Sequence, residues 1–568
     1  SGEWKAVAAA YPSDTDRRPA AHHVSFQLQQ SSSSILAADA PSLAQRGSAS
    51  SGVLRTQKVV SSFKLSSPEI LRACYAGGPL RCCGRIFFPN ASEGSSVRVL
   101  EKEVHVVRSE NAEPEDYSTS FRADLIQDFW SHSWHARPRA KILTLLFVYN
   151  GHAAVMFGSC MASIGFALSA SGVLPPMVYV NSDDGFLHGE VEYGFAVWSQ
   201  VFGLLTFIAT LLFWYSKRLV FLDKACIHQT DERLKTQGVE SIGAFLKHSE
   251  NMIVLWDQTY VQRLWCIFEM AAFVRTHRSR LRSHLRIRPI EFGPVLLSCF
   301  FVTWSTTVMA ILTPNGPLQW IAYGLWVLGW LHPAYKMHVY RQNLDVLWQD
   351  FDNFAFSGAK CHCCTINHVT EDGKPIPCDR KLVQLCIEKW FKNVDVFEEF
   401  VKKDVKQHFQ QQLGPRGLPY RWTVLAMTPV MWWQMEYFAA HAREHDVRPV
   451  LVASLLLSSL MAWLCGGPLA LAVITELVDR LAVCRRCPWL SALVSALAGA
   501  AGGASAVALM VFASLEAYRH SRLAFGLLLL AEVLVTGALY MPRDGALGCV
   551  RSCRCPRPRC RGCWRWRR

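Results

Sequence analysis

Residues 218–277 read RLVFLDKACIHQTDERLKTQGVESIGAFLKHSENMIVLWDQTYVQRLWCIFEMAAFVRTH and decide the fold of the polar part of the chain. Two apolar runs of the β type, residues 219–222 and 252–256, are separated by residues 238–248, whose apolar side chains recur at helical spacing. A further helical pattern begins at Trp265. This order of strand, helix, strand and helix with short connections predicts a parallel sheet covered by helices.

Two flanking segments extend this sheet. Upstream, residues 128–134 (DFWSHSW) have the pattern of a strand with its turn, and residues 138–150 follow as a helix. Downstream, residues 285–291 can supply another strand before the chain turns apolar. The α/β domain is therefore predicted in two parts, residues 121–150 and 216–291, on either side of an apolar insertion.

These residues resemble the Toll/interleukin-1 receptor (TIR) family. The resemblance lies in FLDK at residues 221–224, in the loop and amphipathic helix that follow, and in Tyr260 with RLWCIFE at residues 263–269. It implies a flavodoxin-like parallel sheet and TIR–TIR self-association as a mode of signalling. An uninterrupted TIR domain has no counterpart of the apolar hairpin that separates the two parts here.

The resemblance also implies a site. Some TIR domains hydrolyse NAD+ between nicotinamide and ribose, and their catalytic glutamate lies in the helix where Glu269 lies here. A carboxylate suits this reaction because bond cleavage develops positive charge on the ribose. By the same resemblance Ser131 and His132 would approach the nucleotide, while Trp265 and Phe268 would flank the nicotinamide ring. The alternative is structural: a solvated Glu269, a strand-capping His132, and Trp265 and Phe268 in the core.

The rest of the chain is strongly apolar. Of its 568 residues, 51% are hydrophobic and only 18% are charged, against roughly 25% charged in soluble proteins. Eight apolar runs have the length of a helix that crosses about 30 Å of hydrocarbon: residues 153–174, 193–215, 292–312, 318–335, 422–440, 450–473, 489–515 and 523–541. We therefore expect a multi-pass α-helical membrane protein with about eight transmembrane helices. For the shorter runs, a buried helix of a soluble protein is the alternative.

Basic residues orient these runs. Arg137 and Lys141 precede the first run and Lys217 follows the second, while the loop between the two runs is acidic. Because loops rich in Lys and Arg stay in the cytoplasm, both termini and the α/β domain are predicted to be cytosolic. The predicted segments are a disordered region at 1–95, hairpins of transmembrane helices at 153–215 and 292–335, a cytosolic module at 336–421, four transmembrane helices at 422–541 and a cytosolic tail at 542–568.

Two segments are rich in cysteine. The cytosolic module contains Cys361, Cys363, Cys364, His368 and Cys378, soft ligands of the kind that a structural Zn2+ prefers. Their spacing matches no standard zinc finger, and a reduced, thiol-rich loop is the alternative. The tail interleaves Cys with Arg, which suits attraction to anionic lipids and S-palmitoylation. Because this tail supplies much of the net charge of +14, we expect it to bind the lipid bilayer and expect no specific nucleic-acid binding.

Three classes of function remain open at this point. The first is a membrane protein that signals through assembly of a TIR-like domain, through NAD+ hydrolysis, or both. The second is a noncatalytic membrane scaffold or receptor. The third is a transporter or channel with a regulatory cytosolic domain, whose pathway Gln200, Glu436 and Glu532 would line. The sequence has no P-loop, GxGxxG, HExxH or kinase signature, which disfavours phosphoryl transfer and metalloprotease chemistry.

Overall fold

The computed structural model describes residues 60–88, 115–182, 191–313, 317–369, 373–414 without residues 374 and 377, 417–443, 457–481 and 522–540, with a few isolated residues near 497. The strands in this part of the chain are β1 (Arg72–Tyr75), β2 (Phe121–Arg122), β3 (Ile126–His132), β4 (Val178–Ser182), β5 (Val191–Phe195), β6 (Leu219–Phe221), β7 (Ser249–Trp256) and β8 (Leu285–Pro289).

Six of these strands form one mixed sheet in the order β2-β1-β6-β3-β7-β8. β3 pairs in parallel with β6 on one side and with β7 on the other, and β7 pairs in parallel with β8. Taken in chain order, the four parallel strands are arranged second, first, third, fourth, as in flavodoxin-like sheets. The two parts of the α/β domain therefore contribute strands to a single sheet, with β3 at its centre.

Helices cover this sheet and connect its strands. The part of the chain up to β8 contains α1 (Gly77–Gly84), α2 (Glu115–Ser118), α3 (Pro138–Ala170), α4 (Trp198–Phe213), α5 (Asp223–Cys226), α6 (Glu232–Glu240), α7 (Ile242–Lys247), α8 (Leu264–His277) and α9 (Leu281–His284). Residues 252–256 of β7 are all buried. Both faces of the strand are covered, which explains why this stretch is continuously apolar rather than alternating.

A buried carboxylate joins the central strands. Asp128 of β3 is fully enclosed and accepts hydrogen bonds from Arg218 Nε (2.8 Å), Asn251 Nδ2 (3.0 Å) and Tyr149 Oη (2.9 Å). The donors come from the start of β6, from β7 and from α3. This network fixes the register of the two parallel strands that flank β3.

The insertion between β3 and β6 is a pair of helices, α3 and α4. α3 is continuous over 33 residues, so the helix predicted at 138–150 and the first apolar run form a single helix. α4 has only 16 residues, because the start of the second run belongs to β5, which pairs with β4 in a hairpin. The prediction of helix throughout residues 193–215 is therefore wrong at its start. At 1.5 Å per residue α4 is about 24 Å long.

The remaining helices follow β8. Among the described residues they include α10 (Phe292–Leu312), α11 (Pro317–Asp352), α12 (His362–Thr365), α13 (Asp379–Phe391), α14 (Val394–Phe400), α15 (Lys406–Leu413), α16 (Tyr420–Ala426), α17 (Thr428–Ala442), α18 (Gly467–Leu481) and α19 (Arg522–Tyr540), and α18 continues a helical stretch that begins at Leu457. The run predicted as one span at 422–440 is divided between α16 and α17.

Four described helices are long and apolar enough to cross a membrane. They are Pro138–Ala170, Phe292–Leu312, Leu457–Leu477 and Leu523–Tyr540. These helices favour association with a membrane. The predicted number of eight spans stays a prediction, because the run at 489–515 lies almost wholly outside the described residues.

The prediction of disorder for residues 1–95 is wrong over residues 60–88. β1 pairs antiparallel with β6 there, and Ala73 and Cys74 are fully buried. The four residues of β1, RACY, are too few for a periodic pattern to reveal a strand. The rest of the predicted disordered region and the tail at 542–568 lie outside the described residues.

Candidate functional site

The parallel strands end together at one edge of the sheet. From β3 the chain leads to β6 on one side, whereas from β7 it leads to β8 on the other side. A crevice forms at the carboxyl ends of strands whose connections diverge in this way, and ligands of open α/β sheets bind there. The expected place for a ligand is therefore at the ends of β3 and β7, beside the helix α8 that follows β7.

Three polar side chains meet at this place. Ser131 Oγ, near the end of β3, donates a hydrogen bond of 2.5 Å to Glu269 Oε2 in the second turn of α8. The same Ser131 Oγ lies 2.7 Å from Tyr260 Oη, and Tyr260 is completely buried. The structure thus joins two of the predicted site residues, Ser131 and Glu269, and adds Tyr260 as a third.

The Glu269 carboxyl is a weaker acid than an ordinary glutamate, because its pKa is raised. Its side chain is partly accessible to solvent, yet dense packing around the carboxyl raises its pKa to about 8. The hydrogen bond from Ser131 lowers the pKa of Glu269, and the nearby Asp223 raises it. At pH 7 the carboxyl is therefore mostly protonated, because burial disfavours the charged form. A modest change in its surroundings is enough to ionise it.

Further charged groups lie at the same edge. Asp223 follows β6 and accepts a hydrogen bond from Trp134 Nε1 (2.9 Å), and burial raises the pKa of Asp223. Asp257 follows β7, and its pKa is also raised by burial. Lys141 is completely buried and donates to the Ser133 carbonyl at 3.2 Å. The sequence signal for the two aspartates was their position directly after an apolar strand.

His132 faces away from this cluster. Successive side chains of a strand point to opposite faces, and the His132 ring packs edge-on against Trp134 (centroids 4.6 Å apart) and Phe87 (5.7 Å). Burial lowers the pKa of His132 well below its ordinary value, so the imidazole is neutral. Its Nε2 is buried and has no hydrogen-bond partner among the described residues. His132 is therefore separated from Ser131 and Glu269, and its predicted contact with the nucleotide stays a prediction.

Phe268 belongs to the core. It is fully buried, and its ring lies 5.6 Å from that of Trp390 on α13. Contact with a nicotinamide ring is therefore excluded for Phe268 in this arrangement, because its faces are covered by protein. Trp265 packs against Phe268 at 5.4 Å but is only partly buried. Its predicted role beside a ligand stays a prediction.

A second candidate site is a cluster of sulfur and imidazole ligands. Cys363, Cys364, His368 and Cys378 each offer one ligand atom, and these four atoms lie within 4.8 Å of one another. Cys364 Sγ is 4.0 Å from Cys363 Sγ, 3.7 Å from Cys378 Sγ and 3.6 Å from His368 Nε2. Four of the five predicted metal ligands therefore converge.

The fifth predicted ligand, Cys361, is placed differently. Its Sγ lies 3.0 Å from Cys363 Sγ, and it groups with Cys363 and Asp379 instead of with the other four ligands. Two thiolates on one zinc ion are about 3.8 Å apart, given zinc–sulfur distances of about 2.3 Å. Cys361 is therefore too close to Cys363 for both thiolates to bind one tetrahedral zinc ion, and it lies outside the group of four. Because Cys361 also forms a second possible ligand group with Cys363 and Asp379, its predicted role as a metal ligand stays a prediction.

Polar residues of the apolar helices are engaged in packing. Gln200 Nε2 donates to Thr307 Oγ1 and to a backbone carbonyl of α17, both at 3.0 Å. Glu436 is buried and accepts a hydrogen bond from the Ser199 backbone N–H at the start of α4. Glu532 is also buried. Gln200 and Glu436 thus join helices to one another, and a transport pathway through these residues gains no support from their contacts.

Comparison with protein families, with curated proteins and with solved structures finds no match for this chain. The geometry described above is thus the basis for assigning a function.

Proposed function

We propose that the α/β domain hydrolyses the bond between nicotinamide and ribose in NAD+, as part of a membrane-associated signalling protein. The observation that carries this proposal is the contact between Glu269 and Ser131 at the divergence of β3 and β7. The TIR-like sequence of the same segment supports it. Glu269 is only partly buried and lies where a flavodoxin-like sheet binds its ligands.

The chemistry fits a carboxyl whose pKa is about 8. The nicotinamide ring of NAD+ carries a positive charge, so its approach favours the ionised form of Glu269. As the bond to ribose breaks, its electron pair stays with nicotinamide, which leaves neutral and needs no general acid. The cation left on ribose is stabilised by the Glu269 carboxylate and is captured by water. The products are nicotinamide, ADP-ribose and one proton.

The test is NAD+ turnover by the full chain purified in detergent. Glu269→Gln keeps the size of the side chain but cannot ionise, and we expect it to abolish turnover. Glu250→Gln, a substitution of an exposed glutamate in β7, is the matched control and should leave turnover unchanged. Absence of turnover in the wild type, or equal turnover in the Glu269→Gln variant, would contradict the proposal.

The pH dependence gives a second readout of the same proposal. The carboxyl must ionise to act, and its pKa is about 8 in the folded protein. We expect kcat/KM to rise nearly tenfold per pH unit between pH 6 and 7, and to level off above pH 8. A flat profile over this range would show that ionisation of Glu269 is not required.

A noncatalytic scaffold is the second candidate, and one observation favours it. At pH 7 the Glu269 carboxyl is mostly neutral and is held by Ser131, as expected of a group that only joins α8 to β3. In that case the domain signals through self-association of TIR-like domains. Glu269→Gln would then leave both self-association and downstream signalling intact.

We also propose that the Cys/His cluster binds Zn2+. Tetrahedral zinc with sulfur at about 2.3 Å and nitrogen at about 2.0–2.1 Å has sulfur–sulfur edges of about 3.8 Å and sulfur–nitrogen edges of about 3.6 Å. The distances from Cys364 are 4.0 and 3.7 Å to sulfur and 3.6 Å to nitrogen. Elemental analysis of the purified chain should find one zinc per chain, and a metal-free chain with folded structure would refute the assignment.

The orientation in the membrane is part of the proposal as well. Four helices favour membrane association, and basic flanks favour cytosolic termini, with the Arg-rich tail near anionic lipids. An epitope added after residue 568 should be digested by a protease applied to the cytosolic face of sealed vesicles. Protection of that epitope would reverse the proposed orientation.

A further inference from the structure

The Cys/His cluster lies next to the segment that leads into α8. Lys360, three residues before Cys363 of the cluster, forms a parallel bridge with Arg263. The Lys360 N–H donates to the Gln262 carbonyl at 2.6 Å, and the Leu264 N–H donates to the Lys360 carbonyl at 3.4 Å. Leu264 is the first residue of α8. The chain just before the cluster therefore supplies an acceptor for a backbone N–H that has no partner within its own helix.

The other side of the cluster is attached to the same helix. Cys378 immediately precedes α13. α13 packs on α8 through Trp390, whose ring lies 5.6 Å from that of Phe268. The segment before the cluster thus contacts the start of α8 through backbone hydrogen bonds, and the helix after the cluster contacts α8 at Phe268 through an aromatic pair.

The loop of the cluster is held in a conformation that needs support. Asn367 and His368 both have positive φ, 53° and 60°, a region that L-residues occupy at a cost of about 1 kcal/mol or more. Its described backbone hydrogen bonds include one from the His368 N–H to the Cys363 carbonyl (2.8 Å), within the loop itself. A metal bond at His368 would stabilise the reversal of the chain at this point.

Further groups suit a thiolate centre. The Asp379 backbone N–H donates a hydrogen bond to Cys363 Sγ (3.3 Å). Arg380 follows Asp379, and its guanidinium donates hydrogen bonds to the Ser357 and Ala359 carbonyls, just before Lys360 in the chain. Three thiolates and one imidazole on Zn2+ carry a net charge of −1, and the Arg380 guanidinium compensates it. Donors of this kind orient metal ligands and are costly to remove.

We propose that zinc at Cys363, Cys364, His368 and Cys378 is a structural clasp that fixes the start of α8 and thereby holds Glu269 against Ser131. This proposal rests on the zinc assignment made above and is independent of NAD+ hydrolysis. Glu269 lies five residues after Leu264, about 7.5 Å along the helix. Release of the Lys360 contacts would therefore free the first turn of α8, next to the turn that carries the carboxyl.

The test is hydrogen exchange on the full chain in detergent, before and after zinc is removed with a high-affinity chelator. Exchange of the Lys360 and Leu264 amides should become at least tenfold faster without zinc and should recover when zinc is added back. Amides in the middle of α10 should not change. If the chain binds zinc but its removal leaves the exchange of both amides unchanged, zinc does not fix the start of α8 and the proposal is refuted. If the purified chain contains no zinc, the zinc assignment is refuted as well.

Two substitutions in the same loop check the ligand set. Cys364→Ser should lose zinc and reproduce the faster exchange, whereas Cys361→Ser should retain one zinc per chain. Equal loss of zinc in both variants would overturn the set of four ligands. If Cys364→Ser does not fold, chelation of the wild-type chain still decides the question. If amide exchange depends on zinc but the chain does not hydrolyse NAD+, the proposed catalytic function is refuted and the structural role of zinc is not.

Discussion

The Glu269 carboxyl should make the stability of the wild-type protein depend on pH in a defined direction. Its pKa is about 8 in the folded protein and about 4.3 in an unfolded chain. Below pH 4 the carboxyl is neutral in both states. Between about pH 4.3 and pH 8 the unfolded chain ionises while the folded protein keeps its proton. Stability is therefore lost as the pH rises through this window, and no more is lost above pH 8.

The magnitude follows from the width of the window. Each pH unit within it costs the folded wild-type protein about 1.4 kcal/mol, or roughly 2.7 kcal/mol between pH 5.5 and 7.5. The side chain is partly exposed, and screening by solvent reduces this to roughly 1–2 kcal/mol. Glu269→Gln is neutral at every pH and keeps an oxygen that accepts from Ser131. Its stability relative to the wild type should therefore increase over this pH range by that amount.

The assay is thermal unfolding followed by tryptophan fluorescence at pH 5.5, 6.5 and 7.5. A difference of 1–2 kcal/mol corresponds to roughly 2–8 °C in Tm for a domain of 150–250 residues. Other titrating groups are common to both proteins and cancel in the difference. For Glu250→Gln, at an exposed position of β7, the difference in Tm from the wild type should stay constant between pH 5.5 and 7.5. A constant Tm difference between Glu269→Gln and the wild type would refute a raised pKa for this carboxyl.

Three other substitutions test other parts of the structure. Ser131→Ala removes the hydrogen bond that lowers the pKa of Glu269. Because the pKa then rises, kcat/KM near neutral pH should fall about tenfold and its pH profile should move to higher pH; an unchanged profile would contradict this contact. Gly293→Ala places a Cβ 2.5–2.6 Å from backbone atoms of α3 and should lower stability by about 1–3 kcal/mol in chemical denaturation, whereas Gly526→Ala meets nothing within 4 Å and should not. Asp128→Asn removes the charge of a buried carboxylate whose partner Arg218 is partly exposed and should cost about 1.5–3 kcal/mol; a change below 1 kcal/mol in the same denaturation assay would show that the network does not hold the strands.

Much of the α/β domain could be predicted from local pattern. β7 is buried on both faces, so its apolar residues run without interruption and mark a strand of a covered sheet. The DFWSHSW segment was placed in the same sheet although the helical insertion separates it from β6, and the structure pairs it with β6 and β7. The contact of Ser131 with Glu269 follows from that pairing.

The remaining features depend on contacts that no short pattern contains. The helix predicted at 238–248 is divided into α6 and α7 at Ser241, whose Oγ lies 2.9 Å from Ser66 Oγ, 175 positions earlier in the chain. β1 is recognisable only by its pairing with β6. Cys361 and Cys363 are equivalent as sequence signals, and only the positions of their sulfur atoms show that Cys363 joins the group of four whereas Cys361 does not.

The position of β3 has a consequence for how the protein is made. β3 ends at residue 132, and its first partner, β6, begins at residue 219. At a synthesis rate of about 5–20 residues per second, the central strand leaves the ribosome roughly 4–17 s before any parallel neighbour exists. During that interval the backbone N–H and C=O groups of both its edges have no strand to pair with, which leaves β3 open to pairing with another chain. For the same reason, a fragment that begins after α4 lacks the centre of its own sheet, so expression of the domain requires the insertion or a designed linker in its place.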